Sequence, residues 1–134
     1  MFRLPKLSLV LTVFALVLFA ASARANDWPV EGDTIFTGGS PPTTTFNFVG
    51  AKGDGTAVTG IGQFDFDGMT GVISNGMATL VWDTGFSLDM VFAGQTMIDG
   101  TFTGTWSQVG GDLTGTFAGT TDFATGAHTR FDCN

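Results

Sequence analysis

The chain has 134 residues, with 12 acidic against 5 basic ones, 20 glycines, one cysteine and no tyrosine. Three of the basic residues lie in the first 24 positions, so only Lys52 and Arg130 balance the twelve acids of the remainder. This charge argues against nucleic acids and anionic membrane surfaces as partners, because binding phosphate groups needs clustered Lys and Arg.

The first 25 residues have the pattern of an export signal. Arg3 and Lys6 precede an apolar run from Leu7 to Ala20, and Ala23-Arg24-Ala25 offers a small-x-small cleavage site. We therefore expect residues 1–25 to be removed and residues 26–134 to act outside the cytoplasm, secreted or periplasmic. The alternative is an uncleaved anchor, although the apolar run is just short of the roughly 20 residues that span a bilayer.

Residues 26–42 are predicted to form an irregular N-terminal arm. Pro29, Pro41, Pro42 and Gly38-Gly39 interrupt the segment, which leaves room for one short strand near 34–37. Residues 43–134 are predicted to form a single β-barrel domain.

Apolar and polar residues alternate through most of residues 43–134. Phe86, Leu88, Met90 and Phe92 share one face, for example, and such a period of two is typical of half-buried strands. Dipeptides suited to tight turns separate these stretches, namely Asp54-Gly55, Asp67-Gly68, Asn75-Gly76, Asp99-Gly100 and Gly110-Gly111. The predicted strands are 43–50, 56–66, 69–74, 77–82, 86–93, 95–98 with 101–108, 112–120 and 127–132.

These strands predict an all-β fold, a small antiparallel up-and-down meander. The sequence of Thr101 to Trp106 is similar to that of Asp112 to Phe117, which indicates one hairpin with two similar arms. Gly104 and Gly115 fall on the aromatic face of that hairpin, where glycine permits sharp coiling or a ring lying across the backbone. We expect a closed barrel, which removes exposed strand edges, with an open β-sandwich as the alternative.

One short motif carries a family resemblance. Gly104-Thr105-Trp106 resembles the Gly-x-Trp of lipocalin and avidin-type barrels. In those families the motif lies on the first strand, where the Trp closes the barrel floor. Here it comes about three quarters of the way along the chain, and the resemblance covers three residues.

Residues able to carry catalysis or bind a metal are scarce. His128 is the sole histidine, and nothing near it in the sequence suggests a catalytic triad. Asp65-Phe66-Asp67-Gly68 starts like a calcium loop, but no further acids follow at the required spacing, so we interpret it as a hairpin turn. We therefore predict no catalytic residue, metal or cofactor. Cys133 has no partner within the chain and is expected to be a free thiol on a frayed terminus, or to join a homodimer through a disulfide.

Aromatic residues suggest the function. Eleven Phe and three Trp follow residue 25, and we expect five of them to bind a ligand: Phe102, Trp106, Phe117, Trp82 and Phe86. The leading hypothesis is an exported, soluble, non-enzymatic barrel that binds a small apolar or aromatic molecule. One alternative is a structural or adhesive surface protein, which would use the Thr-rich faces, the acidity and Cys133. A weaker one is a cyclase- or isomerase-like barrel enzyme.

Overall fold

The computed structural model of this protein describes residues 26–134, which form an antiparallel eight-stranded barrel. Its strands are β1 (Val30–Gly38), β2 (Thr43–Lys52), β3 (Ala57–Phe66), β4 (Val72–Trp82), β5 (Ser87–Thr96), β6 (Thr101–Gln108), β7 (Thr114–Thr121) and β8 (Gly126–Cys133). Each strand pairs with its sequence neighbours, and β8 returns to pair with β1. The predicted all-β meander and its closure into a barrel are thus confirmed. The predicted export signal lies outside the described residues, and within them no helix is long and apolar enough to cross a bilayer.

The prediction of an irregular arm over residues 26–42 is wrong for its central part. β1 occupies residues 30–38 and pairs with both β2 and β8, with Val30 opposite Lys52 on one side and Phe131 on the other. Alternation is hard to detect here because two inward positions of β1 carry Gly32 and Thr34 rather than large apolar side chains.

The expected turn at Asn75-Gly76 is instead an irregularity inside one long strand. β4 runs through both residues, and its register against β5 shifts between Ile73 and Gly76. Asn75 has a φ of 52°, a left-handed conformation that bulges and tight turns both use. Residues 72–74 of the first predicted strand and all of 77–82 are therefore parts of a single strand, whereas 69–71 belong to the turn before it. Similarly, β5 extends to Thr96, so that 97–100 forms the turn to β6.

Large rings inside the barrel lie opposite glycines of the adjacent strand. A Cβ at Gly62 would stand 2.5 Å from Cζ of Phe46, and one at Gly119 would stand 2.8 Å from Cζ of Phe102. The missing side chains let each ring lie across its neighbour's backbone. Five cross-strand pairs follow this rule: Phe46 with Gly62, Phe92 with Gly76, Phe117 with Gly104, Trp106 with Gly115, and Phe102 with Gly119.

A cluster of three tryptophans closes one end of the barrel. Trp28, just before β1, stacks on Trp106 with ring centroids 4.9 Å apart and meets Trp82 edge-on at 5.2 Å. The Trp82 indole donates to the carbonyl of Asp27 (3.1 Å), and Lys52 pairs with the Asp27 carboxylate (3.5 Å). Because Trp28 precedes β1 yet contacts β4 and β6, its ring spans this end of the barrel.

Cys133 lies in β8 rather than on a frayed terminus. It pairs with Gly115 of β7, and its half-buried side chain packs against the core. Burial raises the pKa of this thiol, which keeps it protonated. The disulfide-linked homodimer stays a prediction.

Candidate functional site

A cavity of about 130 Å³ occupies the barrel interior at the end opposite the tryptophan cluster. Nine phenylalanines, five threonines, Ile73 and Ala127 line it. Every strand contributes to this wall, because the alternation of each strand turns its apolar face inward. No ionisable side chain is among the sixteen lining residues.

Phe92 of β5 lies among the rings of this wall. Its centroid lies 5.5 Å from that of Phe117, 6.2 Å from that of Phe46 and 6.3 Å from that of Phe64. The pairs with Phe117 and Phe46 are edge-to-face, an arrangement favoured by the aromatic quadrupole. The wall therefore offers both ring faces and ring edges to an apolar guest.

The threonines supply the polar groups of the cavity. The hydroxyls of Thr34 and Thr129 bond to each other across the β1–β8 seam at 3.1 Å. The Thr121 hydroxyl donates to the carbonyl of Gly126 at 2.9 Å. Thr96 is buried as well, with 7% of its surface exposed. A guest would thus meet a mainly apolar surface with a few neutral hydrogen-bonding groups.

Four loops surround the mouth of the cavity, since the β1–β2, β3–β4, β5–β6 and β7–β8 connections all lie at this end. Phe123, in the β7–β8 loop, lines the cavity although 53% of its surface is exposed, and its φ is 66°. Its ring lies 6.4 Å from that of Phe66. Phe123 therefore stands where a ligand would enter.

Asp122 fixes the conformation of that loop. Its carboxylate accepts hydrogen bonds from the Thr125 hydroxyl and from the amides of Thr125, Gly126 and Ala124. These donors, the Thr125 hydroxyl first, lower the pKa of Asp122 to about 2. The loop is thus held by an ionised carboxylate over the whole physiological pH range.

The structure divides the five predicted ligand-binding residues between the two ends of the barrel. Phe102 and Phe117 line the cavity. Trp106, Trp82 and Phe86 are not part of its wall: the first two belong to the tryptophan cluster, and Phe86 packs on Trp82 with centroids 4.9 Å apart. Four positions along a strand cover about 13 Å, so Trp106 shares a face with Phe102 but lies near the other end.

Aromatic rings fill the space beside Gly104 and Gly115, as the sequence led us to expect for glycines on an aromatic face. A Cβ at Gly104 would stand 2.5 Å from Cε1 of Phe117, and one at Gly115 would stand 2.6 Å from Cε2 of Trp106. These glycines therefore seat the rings and leave no room for a flat ligand beside them.

Sequence reasoning missed most of the cavity wall. Seven further phenylalanines line it: Phe36, Phe46, Phe64, Phe66, Phe92, Phe123 and Phe131. For the six that lie in strands, the inward position was the available signal, whereas Phe123 lies in a loop and gave none. Deciding which end of the barrel each one occupies needed the strand register.

The acids that could have bound a metal stabilise turns and strands instead. Asp65 accepts hydrogen bonds from the Thr43 hydroxyl (2.6 Å) and the Asn75 amide (3.0 Å). Asp67 accepts from the amides of Met69 and Thr70 (2.9 and 3.2 Å). Within residues 26–134, no group of three or more His, Cys, Asp or Glu side chains is placed to hold a metal ion.

His128 lies on the outer wall, in a cluster of charged side chains on β1 and β8. Its Nε2 is 2.7 Å from Oε2 of Glu31, and its Nδ1 is 3.4 Å from Oδ1 of Asp33. The hydrogen bond to Glu31, then that to Asp33, raises the pKa of His128. Its side chain is 53% exposed, and it is not among the residues that line the cavity.

In comparisons with protein-family models, curated proteins and solved structures, none matches this chain.

Proposed function

We propose that this protein is an exported, non-enzymatic β-barrel that binds a small apolar or aromatic molecule in its phenylalanine-lined cavity. The cavity itself carries the proposal, with its volume of about 130 Å³ and its apolar wall. A cavity of roughly 150 Å³ lined by apolar side chains is enough to hold one benzene molecule. The absence of ionisable groups among the lining residues favours binding over acid–base chemistry.

Toluene tests this proposal, because it has the size and chemistry of the expected guest. A ligand that binds only the folded state raises its stability, by about 2.7 kcal/mol at 100 times Kd. We expect toluene to raise the melting temperature of residues 26–134 and to shift the NMR signals of the cavity wall, such as those of Thr34 and Ala127.

A cavity-filling variant provides the control. Ala127→Leu places extra methyl groups in the cavity, whereas Ala118→Leu places the same groups on the exposed outer face of β7. Stabilisation by toluene should disappear in Ala127→Leu and persist in Ala118→Leu. Equal stabilisation of both variants, or no stabilisation of the native chain, would contradict cavity binding.

A second candidate function, a structural or adhesive surface protein, is favoured by apolar side chains on the outer face of β2 to β5. Val49, Ile61, Met77 and Val91 lie there on successive strands and are 42–65% exposed. Such a patch can mediate association. Analytical ultracentrifugation distinguishes the two functions: assembly predicts oligomers that grow with concentration and that Ile61→Asp abolishes, whereas a binding protein stays monomeric.

A further inference from the structure

Thr96 presents to the cavity a hydroxyl that has no hydrogen-bond partner in the described part of the protein. The residue ends β5, is 7% exposed and lines the cavity. Its amide donates to the carbonyl of Gly71 (2.8 Å), and its carbonyl accepts from Nε2 of Gln95 (3.0 Å). No hydrogen bond joins its side-chain oxygen to any other residue in the range 26–134. The Thr34, Thr129 and Thr121 hydroxyls, in contrast, all have protein partners.

This unpaired hydroxyl has a free-energy consequence. A guest that fills the cavity would cover this hydroxyl. A hydroxyl buried without a partner costs roughly 1–3 kcal/mol in proteins, and a hydrogen bond to the guest recovers most of that cost. The surrounding wall consists mainly of phenylalanine rings, which are poor partners for it. A guest with one hydroxyl or carbonyl would satisfy Thr96 while its apolar body contacts the rings.

Charge restricts the guest further. No Lys, Arg or His lines the cavity or lies in the four loops around its mouth. Three of these loops contain carboxylates, namely Asp67, Asp99 and Asp122, and hydrogen bonds within the turns lower the pKa of each. The mouth therefore stays negative and disfavours anions. No carboxylate lines the interior to neutralise a buried cation.

We propose that the guest is an uncharged molecule about the size of one aromatic ring, with a single hydroxyl or carbonyl that hydrogen-bonds to Thr96. This inference rests on the proposed binding function and adds the chemical class of the ligand. It makes Thr96 the specificity-determining residue of the cavity, since a site that provides a buried hydrogen-bonding group discriminates against guests without one.

Phenol and toluene form a suitable pair of probes, since they have nearly the same shape and differ in one hydroxyl. Titrations at neutral pH, followed by calorimetry or NMR, give Kd for each probe with the native chain and with Thr96→Val, which replaces the hydroxyl by a methyl group. We expect Thr96→Val to weaken phenol binding about 10-fold and to leave toluene binding unchanged or tighter. Benzoate, an anion of similar size, is expected not to bind.

Two further variants make the test specific to Thr96. Thr44→Val removes a hydroxyl from the same wall at a more exposed position, where water can replace it, and should change the phenol-to-toluene ratio less than twofold. Thr96→Ser retains the hydroxyl and should retain the preference for phenol. If Thr96→Val does not fold, Thr96→Ser can still be compared with the native chain. In the native chain, the NMR signal of the Thr96 amide should then shift on adding phenol but not on adding toluene.

The possible results separate the two proposals. If neither phenol nor toluene binds the native chain, the proposed function fails, and this inference fails with it. If both bind but Thr96→Val leaves their ratio unchanged, or Thr44→Val changes it equally, the inference is overturned while the binding function stands. Benzoate binding as tight as that of phenol would overturn the requirement for an uncharged guest.

Discussion

Adding one methyl group at Gly76 tests whether glycines hold the rings of the barrel in place. Gly76 of β4 pairs with Phe92 of β5, and its φ lies outside the left-handed region that disfavours other residues. The three atoms nearest to an added Cβ all belong to the Phe92 ring, Cε2 at 2.5 Å and Cγ at 2.6 Å among them. Gly76→Ala must therefore displace this ring.

The effect of Gly76→Ala should reverse sign when the ring is removed. Overpacking a core costs about 1–3 kcal/mol, so we expect the single variant to lose that much stability. Where backbone and space permit, Gly→Ala instead stabilises by about 0.4–1 kcal/mol through the unfolded chain. In a Phe92→Ala background, itself about 3–5 kcal/mol less stable, the same change should therefore be stabilising.

Urea unfolding of the four chains in this double-mutant cycle measures the coupling directly. We expect a coupling free energy of at least about 1.5 kcal/mol, well above the roughly 0.3–0.5 kcal/mol within which independent sites add. Gly104→Ala in a Phe117→Ala background is the control, because the backbone oxygen of Ala93 also blocks a Cβ at Gly104. Gly104→Ala should therefore not be stabilising even in the Phe117→Ala background. Additive effects at Gly76 and Phe92 would refute the proposed role of the glycines.

Three further expectations follow from the described contacts, and a fourth follows from the sequence of residues 1–25. Trp106→Ala should cost about 3–5 kcal/mol yet leave toluene affinity within about twofold, because Trp106 lies outside the cavity wall; loss of binding in the folded variant would contradict this. The raised pKa of His128 means that its bond to Glu31 stabilises the fold below about pH 6.5 and loses this effect as pH rises through the folded-state pKa. His128→Gln should therefore lower the melting temperature more in mildly acidic than in alkaline buffer, and an equal change in both would refute the linkage. The Cys133 thiol should react more slowly with iodoacetamide in the native protein than after unfolding, since burial raises its pKa. Mass analysis of exported protein should find Asn26 as the first residue, and an intact N-terminus would argue for an anchor.

The alternation of apolar and polar residues predicted most strands of the sheet. It did not reveal a strand whose inward side chains are small. Phe86 to Phe92 predicted most of β5 because large apolar residues occupy every second position. β1 was missed since Gly32 and Thr34 occupy its inward positions. Asn75-Gly76 was mistaken for a turn because bulges and hairpins select the same residue types.

For the candidate site, the sequence predicted only which side chains lie on the inner face of the sheet. Period two places Phe102, Trp106 and Phe117 on the inner surface, which the structure confirms. Their distribution along the barrel axis depends on strand register and on Trp28, which comes from a segment expected to be irregular and occupies the end where Trp106 lies. Such long-range packing leaves no local pattern in the sequence. Thr96 likewise gave no signal, because only the assembled wall shows that its hydroxyl is isolated.

The seam between β1 and β8 affects how the chain can reach this fold. Thr34 and Thr129, whose hydroxyls meet across the seam, are 95 positions apart. Joining such distant segments is entropically costly and slows folding. Until residues 126–133 are available, β1 and β7 each present an unpaired edge that can recruit other chains. We therefore expect the barrel to close late in folding. A chain that lacks β8, through incomplete synthesis or proteolysis, would be an open sheet prone to aggregation.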